Sequence, residues 1–225
     1  MRKGFTFIEL VVAIVVIAIT LMSVPLLLSQ ASRTNAFNLN QEAVLAGATK
    51  VGNILTFPWD DKLVGQQNIK YILDVTNGDN ELDRYPNTSS TRRIGNFKAN
   101  YRRKFDANQT FASITLGRTG DTNSTAFNDI DDFNGTTSRI NGSGTGDYVK
   151  DINISTTVKY ISDDANYSSS PTLNFSFDIN STPPSTNIKL IEVKVSDNTN
   201  NQEITTLRAF SANIGSYELL YRIFP

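Results

Sequence analysis

The stretch that decides the fold is residues 1–28, MRKGFTFIELVVAIVVIAITLMSVPLLL. Two cations, Arg2 and Lys3, precede an apolar run of 24 residues from Phe5 to Leu28. As a helix this run would measure roughly 36 Å, enough to cross a hydrocarbon core about 30 Å thick. Because positive charge stays on the cytoplasmic side, the run predicts a single-pass helix with a cytoplasmic N-terminus and an extracytoplasmic body.

Glu9 is the one ionisable side chain within this apolar run. A carboxylate at the centre of a membrane helix costs roughly 2.5–3.5 kcal/mol, so Glu9 is a functional candidate that requires a cationic partner. Gly4 stands directly before the run, whereas a secretory signal peptide is cleaved after its apolar stretch. The segment SVPLLLSQAS, at that later place, offers only a weak cleavage site. The informative features therefore lie at the N-terminal end of the run.

The segment GFTFIEL, residues 4–10, followed by the apolar helix, resembles the N-terminus of the type IV prepilin family, which includes the pseudopilins of type II secretion. The resemblance implies that prepilin peptidase cuts between Gly4 and Phe5 and that the new Phe5 amine is methylated. It also implies that Glu9 meets the Phe5 amine of a neighbouring subunit in a filament. The alternative is a plain single-pass anchor whose Glu9 is hydrated near the membrane interface.

Beyond Leu28 the chain becomes polar but stays compatible with a helix as far as Phe57, and Pro58 stops it. Apolar residues recur along this half at spacings of 7, 4, 3 and 4, which predicts one stripe packed on the head. The stripe consists of Phe37, Val44, Ala48, Val51 and Leu55. The predicted organisation is a leader at 1–4, a membrane and filament-core helix at 5–28, an amphipathic helix at 29–57 and a β-rich head at 58–225.

The head contains runs of β-branched and aromatic residues that predict strands, several of them with clear alternation. These runs are 97–105, 111–116, 152–161, 172–179, 188–195 and 203–210. Residues 134–147, NGTTSRINGSGTGD, are rich in Gly and Ser and predict a mobile surface loop. A long N-terminal helix packed on an antiparallel sheet is an α+β, pilin-like fold.

Two residue types are absent, because the chain has no histidine and no cysteine. Nucleophilic Ser-His and Cys-His machinery, metal sites built on His or Cys, and disulfides are therefore excluded. The formal net charge is −1, with 21 Lys and Arg against 22 Asp and Glu, so no global field attracts nucleic acid. We expect a protein that is not an enzyme and that needs no cofactor, apart from the cation considered next.

An acidic segment, residues 128–135, combines several oxygen-bearing side chains with a turn glycine, which is the chemistry that Ca²⁺ prefers. It is not an EF-hand loop, because Ile130 stands at the first ligand position. The alternative is an ordinary solvated turn. The candidate ligands are Asp129, Asp131, Asp132 and Asn134, with Asp121 and Asp147 as possible additions.

A basic segment is interleaved with aromatic residues, which is a pattern found in proteins that bind single-stranded nucleic acid. Its candidate binding residues are Arg92, Arg93, Arg102, Arg103 and Lys104, next to Phe97, Tyr101 and Phe105. The alternative is an amphipathic strand whose charges face water and pair with nearby Asp. We favour the alternative, and expect no nucleic-acid partner, because the protein as a whole is slightly acidic.

These observations predict a structural subunit, a minor pilin or pseudopilin of a type IV pilus or type II secretion-like filament. By the resemblance, its partners are other pilin subunits, prepilin peptidase, an inner-membrane platform protein and a cytoplasmic ATPase. The alternative is a competence or tip pilin whose head binds DNA or a surface. Short patches also resemble minor pilins of the mannose-sensitive haemagglutinin type, at 59–61, 129–135, 189–195 and 211–215.

Overall fold

The chain forms one long N-terminal helix packed on an antiparallel sheet, which confirms the α+β, pilin-like prediction. The computed structural model describes residues 4, 6–63, 70–85, 90–94, 102–118, 126–141, 151–163, 167 and 176–216. The helix, α1, spans Phe7–Ile54. The strands in these ranges are β1 (Arg84–Tyr85), β2 (Arg92–Arg93), β3 (Thr136–Ile140), β4 (Ile152–Asp163), β5 (Phe177–Asp178), β6 (Ile188–Asp197) and β7 (Glu203–Ala212).

Helix α1 is continuous over 48 residues and passes through Pro25 without a break. Its last turn closes with a hydrogen bond from the Leu55 backbone N–H to the Val51 carbonyl oxygen at 3.0 Å. The helix ends at Ile54, three residues before the predicted end, and Pro58 follows shortly after it. A single element therefore joins the apolar N-terminal run to the head.

The face of α1 that packs on the sheet differs from the predicted stripe. The helix residues buried against the sheet are Ala43, Ala46, Gly47 and Ile54. Of the predicted stripe, Val51 packs against the core, whereas Phe37 and Leu55 are 67% and 45% exposed. Apart from Val51 the stripe was wrong, because it rested mainly on large apolar residues. Here small residues bring the helix backbone close to the sheet, and a Cβ atom added at Gly47 would lie 2.9 Å from Val195 Cγ2.

The central sheet has the strand order β3-β4-β6-β7, and all its pairings are antiparallel. Strand β5 pairs with the end of β4 beside this path, and β1 pairs with β2 in a separate two-stranded sheet. Side chains alternate across β6, so that one face carries Lys189, Ile191, Val193 and Val195, all of them buried. That face forms the core with α1, and it includes one ammonium group.

Three of the predicted strands are confirmed, because β4, β6 and β7 begin where the predicted runs begin and extend two residues beyond them. The run 111–116 was wrong, since it forms only an isolated bridge between Phe111 and Asp74. There the Ser113 backbone N–H donates to the Asp60 carboxylate at 2.9 Å instead of to a neighbouring strand. Within 172–179 the described strand is limited to Phe177–Asp178, and 168–175 lie outside the described residues. Run 97–105 lies largely outside them as well.

The predicted loop at 134–147 was wrong for residues 136–140, which form the edge strand β3. Each residue of β3 has a partner on β4, from Thr136 opposite Thr156 to Ile140 opposite Ile152. The middle of the strand is exposed on both faces, so its sequence shows no alternation of apolar and polar residues. Its Thr residues are nevertheless common in strands. Residues 142–147 lie outside the described residues.

Side-chain hydrogen bonds from Arg84 stabilise the irregular part of the head. Arg84 is 2% exposed, and its Nε lies 2.9 Å from both carboxylate oxygens of Asp74. Its remaining N–H groups donate to the carbonyl oxygens of Ser90, Asp106 and Asn108 at 2.7–2.9 Å. Buried backbone carbonyls need such partners when no strand supplies them. Arg84 therefore replaces the hydrogen bonds of a regular sheet in this region.

We predict that Gly47→Leu destabilises the protein by about 1–3 kcal/mol, because added carbons would overpack the contact with Val195 and Leu207. Gly52→Leu is the matched control, since nothing lies within 4 Å of a Cβ atom there. The control should gain up to about 1 kcal/mol from helix propensity. Urea unfolding of the full chain in detergent, followed by Trp59 fluorescence, measures both. Equal effects of the two substitutions would contradict the packing.

Candidate functional site

The N-terminal end of α1 carries the first candidate residues. Thr6 precedes the helix in an extended conformation, and the first helical hydrogen bond runs from the Leu10 N–H to the Thr6 carbonyl oxygen at 3.2 Å. Glu9 lies in the first turn and is exposed, as is Gly4. A carboxylate in this position is favoured by the helix dipole. Phe5 lies outside the described residues.

The apolar half of α1 has its side chains on the outside. Phe7 and Met22 are 83% and 84% exposed, and Leu28 is 71% exposed. The helix is long and apolar enough to cross a membrane, and none of its most apolar window is buried in the rest of the chain. An exposed apolar surface of this extent indicates a site of membrane or protein contact.

Residues 1–24 match the family model described as the prokaryotic N-terminal methylation motif. This is a prepilin-type N-terminus. The match supports recognition of the chain as a type IV pilin-like or pseudopilin substrate of prepilin peptidase. Comparison with curated proteins and with solved structures gave no match.

The predicted cleavage residues Gly4 and Phe5 and the predicted assembly residue Glu9 all lie within the matched segment. Together with the single apolar helix, the prepilin-type N-terminus is consistent with membrane anchoring. Proteins with this motif are structural subunits and assemble with other pilin subunits. The individual roles of the three residues stay predictions.

A second candidate site lies in the head, beyond the prepilin-type N-terminus. We call it the acidic cluster, and it consists of Asp60, Asp61, Asp129, Asp131 and Asp132. The first two follow α1 in the chain, and the other three lie at the 3₁₀ turn Asp131–Phe133, just before β3. All but Asp61 are buried. The cluster therefore stands where the end of the helix meets the sheet.

Backbone hydrogen bonds fix the carboxylates of the acidic cluster. Asp129 accepts from the N–H of Asp61 at 2.8 Å and from the N–H of Asp132 at 3.1 Å, one on each oxygen. Asp132 accepts from the Asn128 N–H at 2.7 Å. Because hydrogen bonds to the charged form stabilise a carboxylate, these contacts offset part of the cost of burial.

Lys189 brings one positive charge into the acidic cluster from β6. Its Nζ donates to Asp131 Oδ1 and to the Trp59 carbonyl oxygen, the latter at 2.7 Å, and lies 3.8 Å from Asp60 Oδ2. The ammonium also lies over the Trp59 ring, 4.4 Å from its centroid, and 5.3 Å from that of Tyr160. Lys189 thus makes ion pairs, a hydrogen bond and cation–π contacts in a buried site.

Burial, together with the neighbouring carboxylates, raises the pKa of two members of the acidic cluster. Burial, followed by repulsion from Asp131, raises the pKa of Asp129 to about 8, although Lys189 acts in the opposite direction. Burial and the neighbouring Asp60 also raise the pKa of Asp61. Burial is again the main cause of a raised pKa at Tyr160, whose hydroxyl donates to the Ser113 carbonyl oxygen at 2.6 Å. One lysine therefore does not neutralise the cluster.

The residues that the structure places beside Asp129 differ from the predicted ligand set. It brings Asp129 together with Asp60 and Asp61, whose carboxylate oxygens lie within 4.8 Å of one another. Asn134 instead accepts a hydrogen bond from the Val158 N–H at 3.0 Å. The sequence signal that was available for Asp60 and Asp61 is that they are adjacent aspartates directly after Trp59. The predicted additions, Asp121 and Asp147, lie outside the described residues.

The basic segment is partly turned into the head. The Phe105 N–H donates to the Thr91 carbonyl oxygen at 3.0 Å, which places the segment around Arg92 and Arg93 beside residues 102–105. Arg93 donates to the Asn213 carbonyl oxygen at 3.3 Å, and burial lowers its pKa. Its guanidinium therefore faces protein rather than solvent.

The other basic candidates are half-buried, like Arg93. Arg102, Arg103 and Lys104 are half-buried, and Arg92 lies over the Tyr85 ring, 5.6 Å from its centroid. The predicted stacking partners Phe97 and Tyr101 lie outside the described residues. A role in DNA or surface binding stays a prediction for this segment.

We predict that Lys189→Met destabilises the head by about 3–5 kcal/mol, because it leaves the buried Asp131 and Asp60 carboxylates without their ammonium partner. Lys194→Met on the same strand is the matched control. Its ion pair with Glu203 joins side chains that are about half exposed, so its loss should cost at most about 1 kcal/mol. Urea unfolding of the full chain measures both variants. A Lys189→Met variant as stable as the control would contradict this role.

Proposed function

We propose that this protein is a minor pilin or pseudopilin, a structural subunit of a type IV pilus or a type II secretion-like filament. The observation that carries the proposal is the prepilin-type N-terminus on a helix whose apolar half is unburied. Before assembly the helix would sit in the inner membrane, with Arg2 and Lys3 on the cytoplasmic side. After assembly it would pack on the same helix of other subunits.

The proposed partners follow from this role. Prepilin peptidase would cut between Gly4 and Phe5 and methylate the Phe5 amine. A cytoplasmic ATPase and an inner-membrane platform protein would extract the subunit into the filament. The head, residues 58–225, would be carried on the outer side as the extracytoplasmic part. We assign no catalytic role to it, in keeping with the absence of histidine and cysteine.

Glu9 would set the register between subunits. Cleavage creates a cation at the start of an apolar helix, and a buried pair is tolerated where a lone carboxylate is costly. A subunit that slips along the filament axis would leave Glu9 and the Phe5 amine unpaired. The exposed position of Glu9 in the first turn of α1 supports this role, because its carboxylate is open to a neighbouring chain.

We predict that Glu9→Ala lowers incorporation into filaments at least about tenfold without reducing membrane insertion. An unpaired charge in a membrane helix costs roughly 2.5–3.5 kcal/mol, and each 1.4 kcal/mol is a factor of ten. The measurement is the ratio of protein in sheared filaments to protein in alkali-washed membranes of the native cell.

Ser23→Ala is the matched control within the same apolar run. The Ser23 hydroxyl donates to the Thr20 carbonyl oxygen of its own helix at 3.0 Å, so it needs no partner from another subunit. This variant should assemble like the wild type. Assembly of Glu9→Ala at the same level as the control would remove the proposed pairing.

A further inference from the structure

The acidic cluster holds more negative charge than the described ion pairs neutralise. Lys189 makes the two ion pairs described in it, with Asp131 and with Asp60. Its third contact is the neutral Trp59 carbonyl oxygen. Five carboxylates against one ammonium is an arrangement that a protein interior tolerates only with further positive charge, a proton or a bound cation.

Three of these carboxylates converge on one point. Oxygens of Asp60, Asp61 and Asp129 lie within 4.8 Å of one another. Two hard-cation ligands at 2.3–2.6 Å from a shared Ca²⁺ ion lie at most about 5 Å apart, so this spacing matches a common ion. The sequence brings these residues from two distant segments, and the hydrogen bond from the Asp61 N–H to Asp129 Oδ2 at 2.8 Å fixes them against each other.

An unpartnered buried oxygen provides a second, independent observation. Asp131 is fully buried, and its Oδ2 accepts no hydrogen bond from any described donor. The Asp131 carboxyl lies within hydrogen-bonding reach of that of Asp129, so it borders the three converging carboxylates. Asp61 Oδ1 is likewise buried without a donor. Buried acceptors left without a donor are destabilising, and a cation would satisfy both.

We propose that Asp60, Asp61 and Asp129 bind a Ca²⁺ ion in the head, with Asp131 beside them as a further oxygen donor. Ligands from carboxylates alone suit Ca²⁺, whereas zinc sites are built mainly on Cys and His, which this chain lacks. Mg²⁺ demands a near-ideal octahedron, and Ca²⁺ accepts the irregular geometry that two loop segments provide. Asp61, the one half-exposed member, forms the side from which an ion enters.

The proposed ion would join the segment that follows α1 to the turn that precedes β3. Asp60 and Asp61 lie six and seven residues beyond the helix end at Ile54, and Asp129 lies beside the 3₁₀ turn Asp131–Phe133. Binding would therefore fasten the end of the helix to the sheet. This inference does not depend on the proposed filament role, because it concerns the head alone.

Terbium luminescence tests the site directly, since Tb³⁺ replaces Ca²⁺ and Trp59, the single tryptophan, stands next to Asp60. Excitation of Trp59 in the full chain in detergent should give Tb³⁺ emission that excess Ca²⁺ abolishes. Asp61→Asn and Asp129→Asn should each weaken Tb³⁺ binding at least tenfold. Asp178→Asn is the control, because Asp178 is exposed and accepts from the Asn180 N–H. No sensitised emission, or equal emission from all variants, would overturn the proposal.

Thermal unfolding adds a second test, because the effect of Asp61→Asn on stability should reverse between chelator and Ca²⁺. A hundredfold excess of Ca²⁺ over its Kd should raise the wild-type Tm by roughly 5–10 °C relative to chelator, with a smaller rise in Mg²⁺. Asp61→Asn should be at least as stable as the wild type in chelator, because it removes a repelling charge, and less stable in Ca²⁺. A wild-type Tm that is the same in Ca²⁺ and in chelator would overturn the proposal.

Discussion

The rest of the structure depends on an apolar helix half that the described part of the chain leaves exposed. The side chains from Phe7 to Leu28 are exposed, and the described residues of the head pack on the later part of α1. At roughly 25 cal/mol per Å² of exposed apolar surface, such a helix cannot remain in water. It requires a bilayer or other apolar helices, and a subunit that moves from one to the other keeps its apolar surface covered throughout.

The junction between helix and head combines three kinds of interaction. Small residues around Gly47 allow the helix backbone to approach β6 and β7 closely. The Phe57 ring meets the Phe133 ring edge-on at 5.0 Å, and the Trp59 indole donates to the Ser211 carbonyl oxygen at 3.2 Å. The Lys189 ammonium lies over the Trp59 ring and pairs with Asp131 of the acidic cluster. A force applied along the helix would therefore reach the sheet through apolar packing and a buried charged site together.

Much of the fold could be predicted from periodic patterns in the sequence. The helix and the strands β4, β6 and β7 rest on long periodic segments, in which many residues indicate the same structure. The edge strand β3 was not predicted, because an exposed strand does not show the alternation of apolar and polar residues that marks a half-buried one. The helix face was misplaced because Ala43 and Gly47 carry almost no hydrophobic signal, although only small residues fit there.

The two candidate sites also differ in how far the sequence alone could predict them. The residues at the N-terminus form a short contiguous motif, so roles for Gly4, Phe5 and Glu9 could be predicted without a structure. The acidic cluster joins residues nearly 70 positions apart, as the contact between Asp61 and Asp129 shows, and one sequence contains no signal for that pairing. Likewise, the Arg93 side chain points into the head, where it donates to the carbonyl oxygen of Asn213, a residue distant in the chain.

The central claim is that this chain is processed as a prepilin, and mass spectrometry of the mature N-terminus in the native cell tests it most directly. The account predicts a chain that begins at N-methylated Phe5, with residues 1–4 removed. A chain that still begins at Met1, or one cut near Ser29 by an ordinary signal peptidase, would contradict it and leave an anchored or secreted β-rich domain instead.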